Sequence, residues 1–133
     1  MFVRLDITAM VVRATTALYY PAWGVLDVRD VPIPTLLEGE VLVRASSCGI
    51  CASELETFRN ASRRRTPPLI IGHEFCGQVE EVHCMHADGL KGRPVIAHAL
   101  VHCGECSACL RGDTNLCLPR QVLGMDRQGA CAE

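Results

Sequence analysis

Apolar and polar residues alternate over short stretches along most of the chain, a period of two that is typical of β-strands with one buried face. Extended patterns of this kind predict strands at 9–14, 25–31, 40–47, 77–82, 94–100 and 122–125. The pattern predicts one short helix, Ser53–Arg59, in which a hydroxyl residue precedes two glutamates, as helix N-termini prefer. A proline-rich connector at 32–40 and a polar loop at 59–68 separate these elements. We therefore predict a mainly β fold, a partly open barrel with short helices and irregular loops.

The composition narrows the function classes. A length of 133 residues suits one domain, and 49% apolar against 21% charged residues is typical of a globular chain. The net charge of −2 and the sparse aromatic residues argue against nucleic acid or a membrane surface as partner. Arg4, Asp6 and Arg13 interrupt the N-terminus, so it lacks the apolar core of a signal peptide, and no stretch is long and apolar enough for a membrane span. We expect a cytoplasmic protein without nucleic-acid or membrane partners.

Four of the nine cysteines form a compact group with the spacing C-x2-C-x2-C-x7-C: Cys103, Cys106, Cys109 and Cys117. In a reducing compartment, closely spaced cysteines are typical of metal ligands, and structural zinc sites accept four thiolates in a tetrahedron. We therefore predict a structural zinc lobe over residues 102–118. Because its coordination shell is filled, this zinc would take no part in chemistry. Free thiols, disulfides and an iron–sulfur cluster remain as alternatives.

A second set of possible metal ligands lies upstream, at Cys51, His73 and Glu74. A thiolate, an imidazole and a carboxylate that leave one position open are typical of a catalytic zinc site. His73 and Glu74 are adjacent, so a regular strand would point them to opposite faces. The irregular backbone at Gly72 could turn both toward one ion, or Glu74 could be a supporting or transient ligand. A satisfied histidine–glutamate pair without a metal is the alternative.

Together these motifs resemble the N-terminal part of the zinc-dependent alcohol dehydrogenases of the medium-chain dehydrogenase/reductase superfamily, in the branch with sorbitol and threonine dehydrogenases. Residues 49–54 match the family pattern G-[IV]-C-G-[ST]-D, residues 72–74 match G-H-E, and the cysteine lobe has the family's spacing. Residues 39–44 match the glycine lead-in to a V-L-V-[RK] strand. The resemblance implies that residues 1–133 form a GroES-like catalytic domain, the N-terminal part of a longer enzyme.

The resemblance also implies a role for each residue of the second set. Cys51 and His73 would hold a catalytic zinc, with Glu74 as the third donor. Ser53 matches the hydroxyl that passes the substrate proton onward, and Glu54 stands where the family usually has an aspartate that supports the histidine ligand. Two neighbours are implied to have no such role: Cys48, which is not a ligand, and Glu56, which stands where many members carry a histidine of the proton relay.

The implied reaction is the reversible oxidation of a small alcohol or polyol, in which zinc polarises the alcohol oxygen and a hydride passes to NAD or NADP. The sequence contains no G-x-G-x-x-G after a strand, so the Rossmann domain is absent from this chain. We therefore expect two zinc ions but no dehydrogenase activity from the 133 residues alone, and we make no prediction of oligomeric state. The alternative function is a non-catalytic zinc-binding structural or interaction module.

Three smaller features complete the expectations. The sequence HCMH at 83–86 precedes a turn-rich segment, and the resemblance implies a surface hairpin here, so we do not expect a metal site. The run Arg63–Arg65 is predicted to be a solvated loop, with a substrate mouth that attracts anionic groups as the alternative. Cys76 and Cys131 lie in apolar strand contexts and are predicted to be buried thiols.

Overall fold

A computed structural model describes residues 13–85 and 87–133 of the protein. Over these residues the chain is mainly β, as predicted, with two short α-helices, α1 (Ala52–Asn60) and α2 (Ser107–Leu110). The strands are β1 (Ala14–Ala22), β2 (Val25–Pro32), β3 (Glu40–Gly49), β4 (Leu69–Ile70), β5 (Glu74–His83), β6 (Pro94–Ile96), β7 (Leu100–Val101) and β8 (Gln121–Val122). Two 3-10 turns, Asp88–Leu90 and Thr114–Leu116, lie in the connections. Within the described ranges, neither helix is long and apolar enough to span a bilayer.

The strands form two three-stranded antiparallel sheets and a small ribbon. The first sheet has the order β2–β1–β4, the second β3–β5–β6, and the ribbon joins β7 to β8. β3 and β5 pair along almost their whole length, with irregularities after Leu42 and after Ala45. Such bulges increase strand twist and help a sheet to curve. The second sheet thus brings the end of β3, which leads to Cys51, beside the start of β5, which follows His73.

Residues 129–133, named here the closing segment, join the first sheet to the loop that carries His73. The backbone N–H of Leu18 donates to the carbonyl of Cys131, while the N–H of Cys131 donates to the carbonyl of Ile71. Both hydrogen bonds are under 3.0 Å long, at 2.8 and 2.9 Å. Beneath the segment lies a small buried core of Tyr20, Leu69 and Ile71, against which Cys131 packs. The closing segment therefore holds the partly open barrel together next to the candidate site.

The predicted strands at 25–31 and 40–47 and the predicted helix at 53–59 are confirmed, each with ends displaced by one or two residues. The stretch 94–100 is two strands, β6 and β7, instead of one. The strand predicted at 122–125 ends at Val122, because a turn carries the N–H groups of Met125 and Asp126 back to the Val122 carbonyl. The prediction at 9–14 lies almost wholly outside the described residues.

β1 escaped prediction over most of its length because its side chains do not alternate strictly. The buried residues Ala17 and Tyr20 are three positions apart, and the pairing with β2 shifts register between Tyr19 and Ala22. This irregularity breaks the period of two on which strand prediction depends.

The burial predicted for the two isolated cysteines is wrong for Cys76 and holds only in part for Cys131. Cys76 is exposed, because its position on β5 faces an open cleft of about 580 Å³. Cys131 is half-buried against the core beneath the closing segment.

Gly77 sits where the backbones of β5 and β3 approach each other closely. A Cβ atom at this position would overlap the carbonyl oxygen of Arg44 and lie 2.9 Å from Cγ1 of Val43. We expect Gly77→Ala to lower the free energy of unfolding by about 1–3 kcal/mol, because overpacking forces the two strands apart. Urea denaturation measures this change. Gly89→Ala is the matched control, since a Cβ there meets nothing within 4 Å, and equal stabilities of the two variants would contradict the prediction.

Candidate metal centres

The four cysteines of the predicted zinc lobe converge through a series of tight turns. Cys103 follows β7, Cys106 is the residue before α2, and Cys109 lies within that helix. Gly104 and Gly112 adopt φ values of +80° and +89°, which side chains rarely tolerate, so glycine permits both reversals. The 3-10 turn then returns the chain to Cys117, which is 0% exposed.

The distances among the four sulfurs fit one metal ion. All four lie within 4.8 Å of one another, with Sγ–Sγ separations of 3.9 Å for Cys103–Cys109 and 3.5 Å for Cys106–Cys109. Four thiolates at 2.3 Å from a tetrahedral zinc would lie about 3.8 Å apart, whereas a disulfide needs about 2.05 Å. The residues present therefore fit a zinc ion. The zinc content of this lobe remains a prediction.

Backbone N–H groups support the charge that such a site requires. The N–H of Cys103 donates to Sγ of Cys117, and the N–H of Cys106 donates to Sγ of Cys103, both at 3.4 Å. A hydrogen bond from the backbone N–H of Cys109 lowers the pKa of Cys106 to about 6, whereas burial raises the pKa of Cys109 to about 12. Donors of this kind favour thiolates, which are the form that binds metal.

A second group of possible ligands consists of Cys51, Glu54 and His73, whose ligand atoms lie within 4.8 Å of one another. Cys51 is the residue before α1, and Glu54 lies in the first turn of that helix. His73 stands between β4 and β5, directly after Gly72 with a φ of +100°. The irregular backbone expected at Gly72 is thus present, and it directs His73 toward the start of α1.

Both carboxylate oxygens of Glu54 already have protein partners. Oε1 lies 2.7 Å from Nδ1 of His73, and Oε2 accepts a hydrogen bond of 2.8 Å from the backbone N–H of Cys51. Nε2 of His73 therefore remains available for a metal, since Glu54 occupies the other ring nitrogen. This arrangement suits Glu54 to orient the histidine instead of binding the ion, as the resemblance implies. That role stays a prediction.

Arg65 is 1% exposed, so the predicted solvated loop is wrong at this position. Its guanidinium lies beneath α1, where it donates to the carbonyl oxygens of Gly124 and Ser53, to Oγ1 of Thr57 and to Oε1 of Glu54. The Arg65–Glu54 pair, with an N–O distance of 3.4 Å, explains how a cation can be buried here. Arg63 and Arg64 are exposed, as predicted.

The other two predicted site residues lie close to this group but outside it. The hydroxyl of Ser53 is buried and has no hydrogen-bond partner among the described residues. Glu74 is exposed at the start of β5, opposite Gly49, and lines the 580 Å³ cleft together with His73. The relay role of Ser53 and the ligand role of Glu74 remain predictions.

The sequence HCMH does not assemble a metal group in the part of the chain that the structure describes. Nδ1 of His83 lies 3.1 Å from the carbonyl oxygen of Leu36. Neither His83 nor Cys84 belongs to a cluster of three possible ligands in the described ranges, and His86 lies outside them.

Two contacts in this region were not predicted from the sequence. One is the burial of Arg65 under Glu54, and the other is the approach of Cys48 to Cys131 within 3.2 Å between their sulfurs. Neither pair has a signal in a single sequence, because the partners are 11 and 83 positions apart and share no local motif.

Comparisons with known proteins identify the relatives of this chain. Residues 37–133 match the family model described as the alcohol dehydrogenase GroES-like domain. The uncharacterized zinc-type alcohol dehydrogenase-like protein of Haemophilus influenzae is 36% identical over 107 residues, which cover 80% of this chain and 31% of that protein. The D-arabitol-phosphate dehydrogenase of Enterococcus avium is 32% identical over 113 residues, with 84% and 32% covered.

Among solved structures, the short chain alcohol dehydrogenase of Escherichia coli CFT073 complexed with NADH superposes with a TM-score of 0.80 at 29% identity. The match covers 90% of this chain and 34% of that one. The chain thus spans about a third of the length of the relatives it matches.

Proposed function

Because the chain belongs to the zinc-dependent alcohol dehydrogenases, through their GroES-like domain, we propose that it is the N-terminal catalytic domain of an alcohol or polyol dehydrogenase. The observation that carries the proposal is the coexistence of a four-thiolate lobe with a second site, where Cys51 and His73 converge and Glu54 contacts the histidine ring. A filled shell is typical of structural zinc, and an open one of catalytic zinc. The proposed cofactors are two zinc ions, with NAD or NADP bound by a Rossmann domain.

Cys51 and His73 are the proposed ligands of the catalytic zinc, with Glu74 as the third donor. Zinc bound there supplies a Lewis acid that polarises the alcohol oxygen for hydride transfer to nicotinamide. Glu54 keeps Nε2 of His73 directed away from the helix, because its carboxylate holds the opposite ring nitrogen. The start of α1 thereby fixes Cys51 and His73. Glu54 accepts a hydrogen bond from the backbone N–H of Cys51 and contacts the ring of His73.

Ser53 is proposed to accept the proton of the alcohol. A buried hydroxyl without a hydrogen bond costs about 1–3 kcal/mol. Because no described residue pairs with the Ser53 hydroxyl in the first turn of α1, this position favours a partner supplied by a ligand. A hydroxyl can donate and accept at once, which allows it to pass a proton onward.

The proposed substrate is a small-molecule alcohol or polyol. Ser53, Glu56, Arg63 and Arg64 line a cleft of about 640 Å³. The two arginines offer exposed positive charge to an anionic substituent such as a phosphate. A phosphorylated polyol is therefore a candidate, as the name of the Enterococcus avium relative also suggests. The proposed location is the cytoplasm, because nine cysteines without a disulfide are typical of a reducing compartment.

Glu54→Gln tests the supporting role of this carboxylate. The amide keeps one acceptor but loses the negative charge that polarises His73 and balances Arg65. We expect the affinity of the second zinc site to fall by about tenfold to hundredfold, measured by competition with a chromogenic chelator. Glu56→Gln is the control, because Glu56 is exposed on the same helix. An unchanged dissociation constant of zinc for Glu54→Gln would show that Glu54 does not support zinc binding.

Zinc content and hydride transfer test the proposed function together. Elemental analysis of protein purified without chelator should give two zinc ions per chain. The full-length protein should then reduce NAD or NADP with one member of a panel of alcohols, polyols and phosphorylated polyols. A content of one zinc ion per chain would support the structural lobe but contradict the catalytic site. A content of no zinc would contradict both sites. A protein with both sites filled that oxidises no alcohol would favour a non-catalytic zinc-binding module.

A further inference from the structure

Two cysteines that belong to neither metal centre meet across the loop that carries His73. Sγ of Cys48, on β3, lies 3.2 Å from Sγ of Cys131, on the closing segment, although the residues are 83 positions apart. Gly72 lies against both sulfurs, because a Cβ added there would stand 2.6 Å from each of them. The two sulfurs thus fill the space of a missing side chain, which fixes them against the same backbone atoms.

The two thiols differ in environment. Burial, together with the hydrogen bond that its S–H donates to Cys48, raises the pKa of Cys131 to about 12. Cys131 therefore stays protonated at neutral pH. Both cysteines are partly exposed and line a cleft of about 430 Å³, so a small reagent can reach them. Neither sulfur belongs to the group of Cys51, Glu54 and His73, so the pair is distinct from the proposed zinc ligands.

We propose that Cys48 and Cys131 are an oxidation site that forms an intramolecular disulfide with a two-electron oxidant of the peroxide class. The Cys48 sulfur attacks one peroxide oxygen and breaks the O–O bond. The Cys48 proton goes to the departing hydroxide, which leaves a sulfenic acid and the first water. The Cys131 sulfur then attacks the Cys48 sulfur, its proton goes to the departing hydroxide, and the second water leaves. Two thiols lose two electrons in total, and one hydrogen peroxide becomes two waters.

The contact distance favours this second step over further oxidation. A sulfenic acid at Cys48 would find the Cys131 sulfur already in van der Waals contact, whereas another peroxide must diffuse in. Closing from 3.2 Å to the roughly 2.05 Å of a disulfide needs only a small movement of two side chains. The product would tie β3 to the closing segment directly beside His73.

Peptide mapping of the zinc-loaded protein tests the proposal. The protein is treated with hydrogen peroxide in excess zinc, alkylated and digested with trypsin without reduction. Cleavage after Arg44, Arg59 and Arg127 puts Cys48 in the peptide 45–59 and Cys131 in a peptide that begins at Gln128. We expect these two peptides to form the dominant cross-link, with the loss of two free thiols per chain. Fragment ions that break between Cys48 and Cys51 assign the linked sulfur in the unaltered protein.

Serine variants provide the controls. C131S should abolish the cross-link and leave Cys48 open to a sulfenic-acid trap, and C48S should abolish it as well. Cys76→Ser should retain the cross-link in full, because Cys76 is an exposed residue on β5 and is not part of the pair. Two results would overturn the proposal: a link to Cys51 instead of Cys48, or unlinked peptides under conditions that oxidise Cys76. The unaltered protein alone gives the cross-linked peptides and the thiol count, so the result remains interpretable even if a variant fails to fold.

Discussion

Cys109→Ser should lose one zinc ion per chain and the ordered structure of residues 103–117. A neutral serine hydroxyl is a poor substitute for a thiolate, and Cys109 contacts two of the other three sulfurs at 3.5 and 3.9 Å. Structural zinc contributes about 10–16 kcal/mol of apparent binding energy in small zinc domains, so the loss of one ligand is large compared with ordinary mutations. Among the described residues, the lobe has little apolar burial of its own beyond Ala108 and Cys117 to compensate.

Elemental analysis and limited proteolysis measure this effect together. The variant should contain one zinc fewer than the unaltered protein, and trypsin should cut faster at Arg111 and Arg120, which flank the last part of the lobe. Cys76→Ser is the matched control, since it also removes a thiol but from an exposed strand position. If Cys109→Ser keeps the zinc content of the control, the four-thiolate site is refuted.

Arg65→Ala should lower the free energy of unfolding by about 3–5 kcal/mol, the usual cost of breaking a buried ion pair by removing one partner. The substitution leaves the Glu54 carboxylate, which is 5% exposed, without its cation. It also leaves the carbonyls of Ser53 and Gly124 and the hydroxyl of Thr57 without their donor. Urea denaturation of the zinc-loaded protein measures the change.

Arg64→Ala is the control for this prediction because it removes the same side chain from the neighbouring, exposed position. Exposed substitutions of this kind usually change stability by less than about 0.5 kcal/mol. A similar loss for both variants would mean that the loop, and not the buried guanidinium, determines the stability. A negligible loss for Arg65→Ala would show that water replaces its hydrogen bonds.

The parts of the molecule that could be predicted from sequence are those determined by local spacing. The zinc lobe depends on four cysteines whose outermost members are 14 positions apart, with glycines at its turns. The helix α1 has an N-terminal signal of its own, and β2 and β3 show clear apolar patterns. In the lobe and in α1, the residues that interact are close in the chain, so their spacing carries the information. For β3, the local pattern predicts the strand but not its partner, β5.

The parts that could not be predicted depend on contacts between distant residues. Arg63, Arg64 and Arg65 are the same residue type in a row, and only the packing of α1 above the loop distinguishes the buried one. Cys48 and Cys51 have the spacing of a metal-binding pair, yet the fold directs Cys48 to Cys131. The approach of Cys51 to His73 was predicted, but the family resemblance was needed to exclude Cys48 as a ligand. Chain reversals between sheets decide these partners, and no local pattern records them.

The closing segment also has a consequence for the order of folding. The hydroxyl of Thr15 donates to the carbonyl of Glu133, 118 positions away, whereas Cys103 and Cys117 are 14 apart. By the logarithmic growth of loop entropy, closure of the longer loop costs about 2 kcal/mol more. Contacts of high sequence separation form late in most small domains.

We therefore expect Cys109 to become protected from pulsed alkylation before Cys131 during refolding in zinc. The reverse order of protection would contradict this prediction. On the ribosome, the lobe would take up its zinc within a short nascent segment, while the contacts of the closing segment wait until residues 129–133 have emerged.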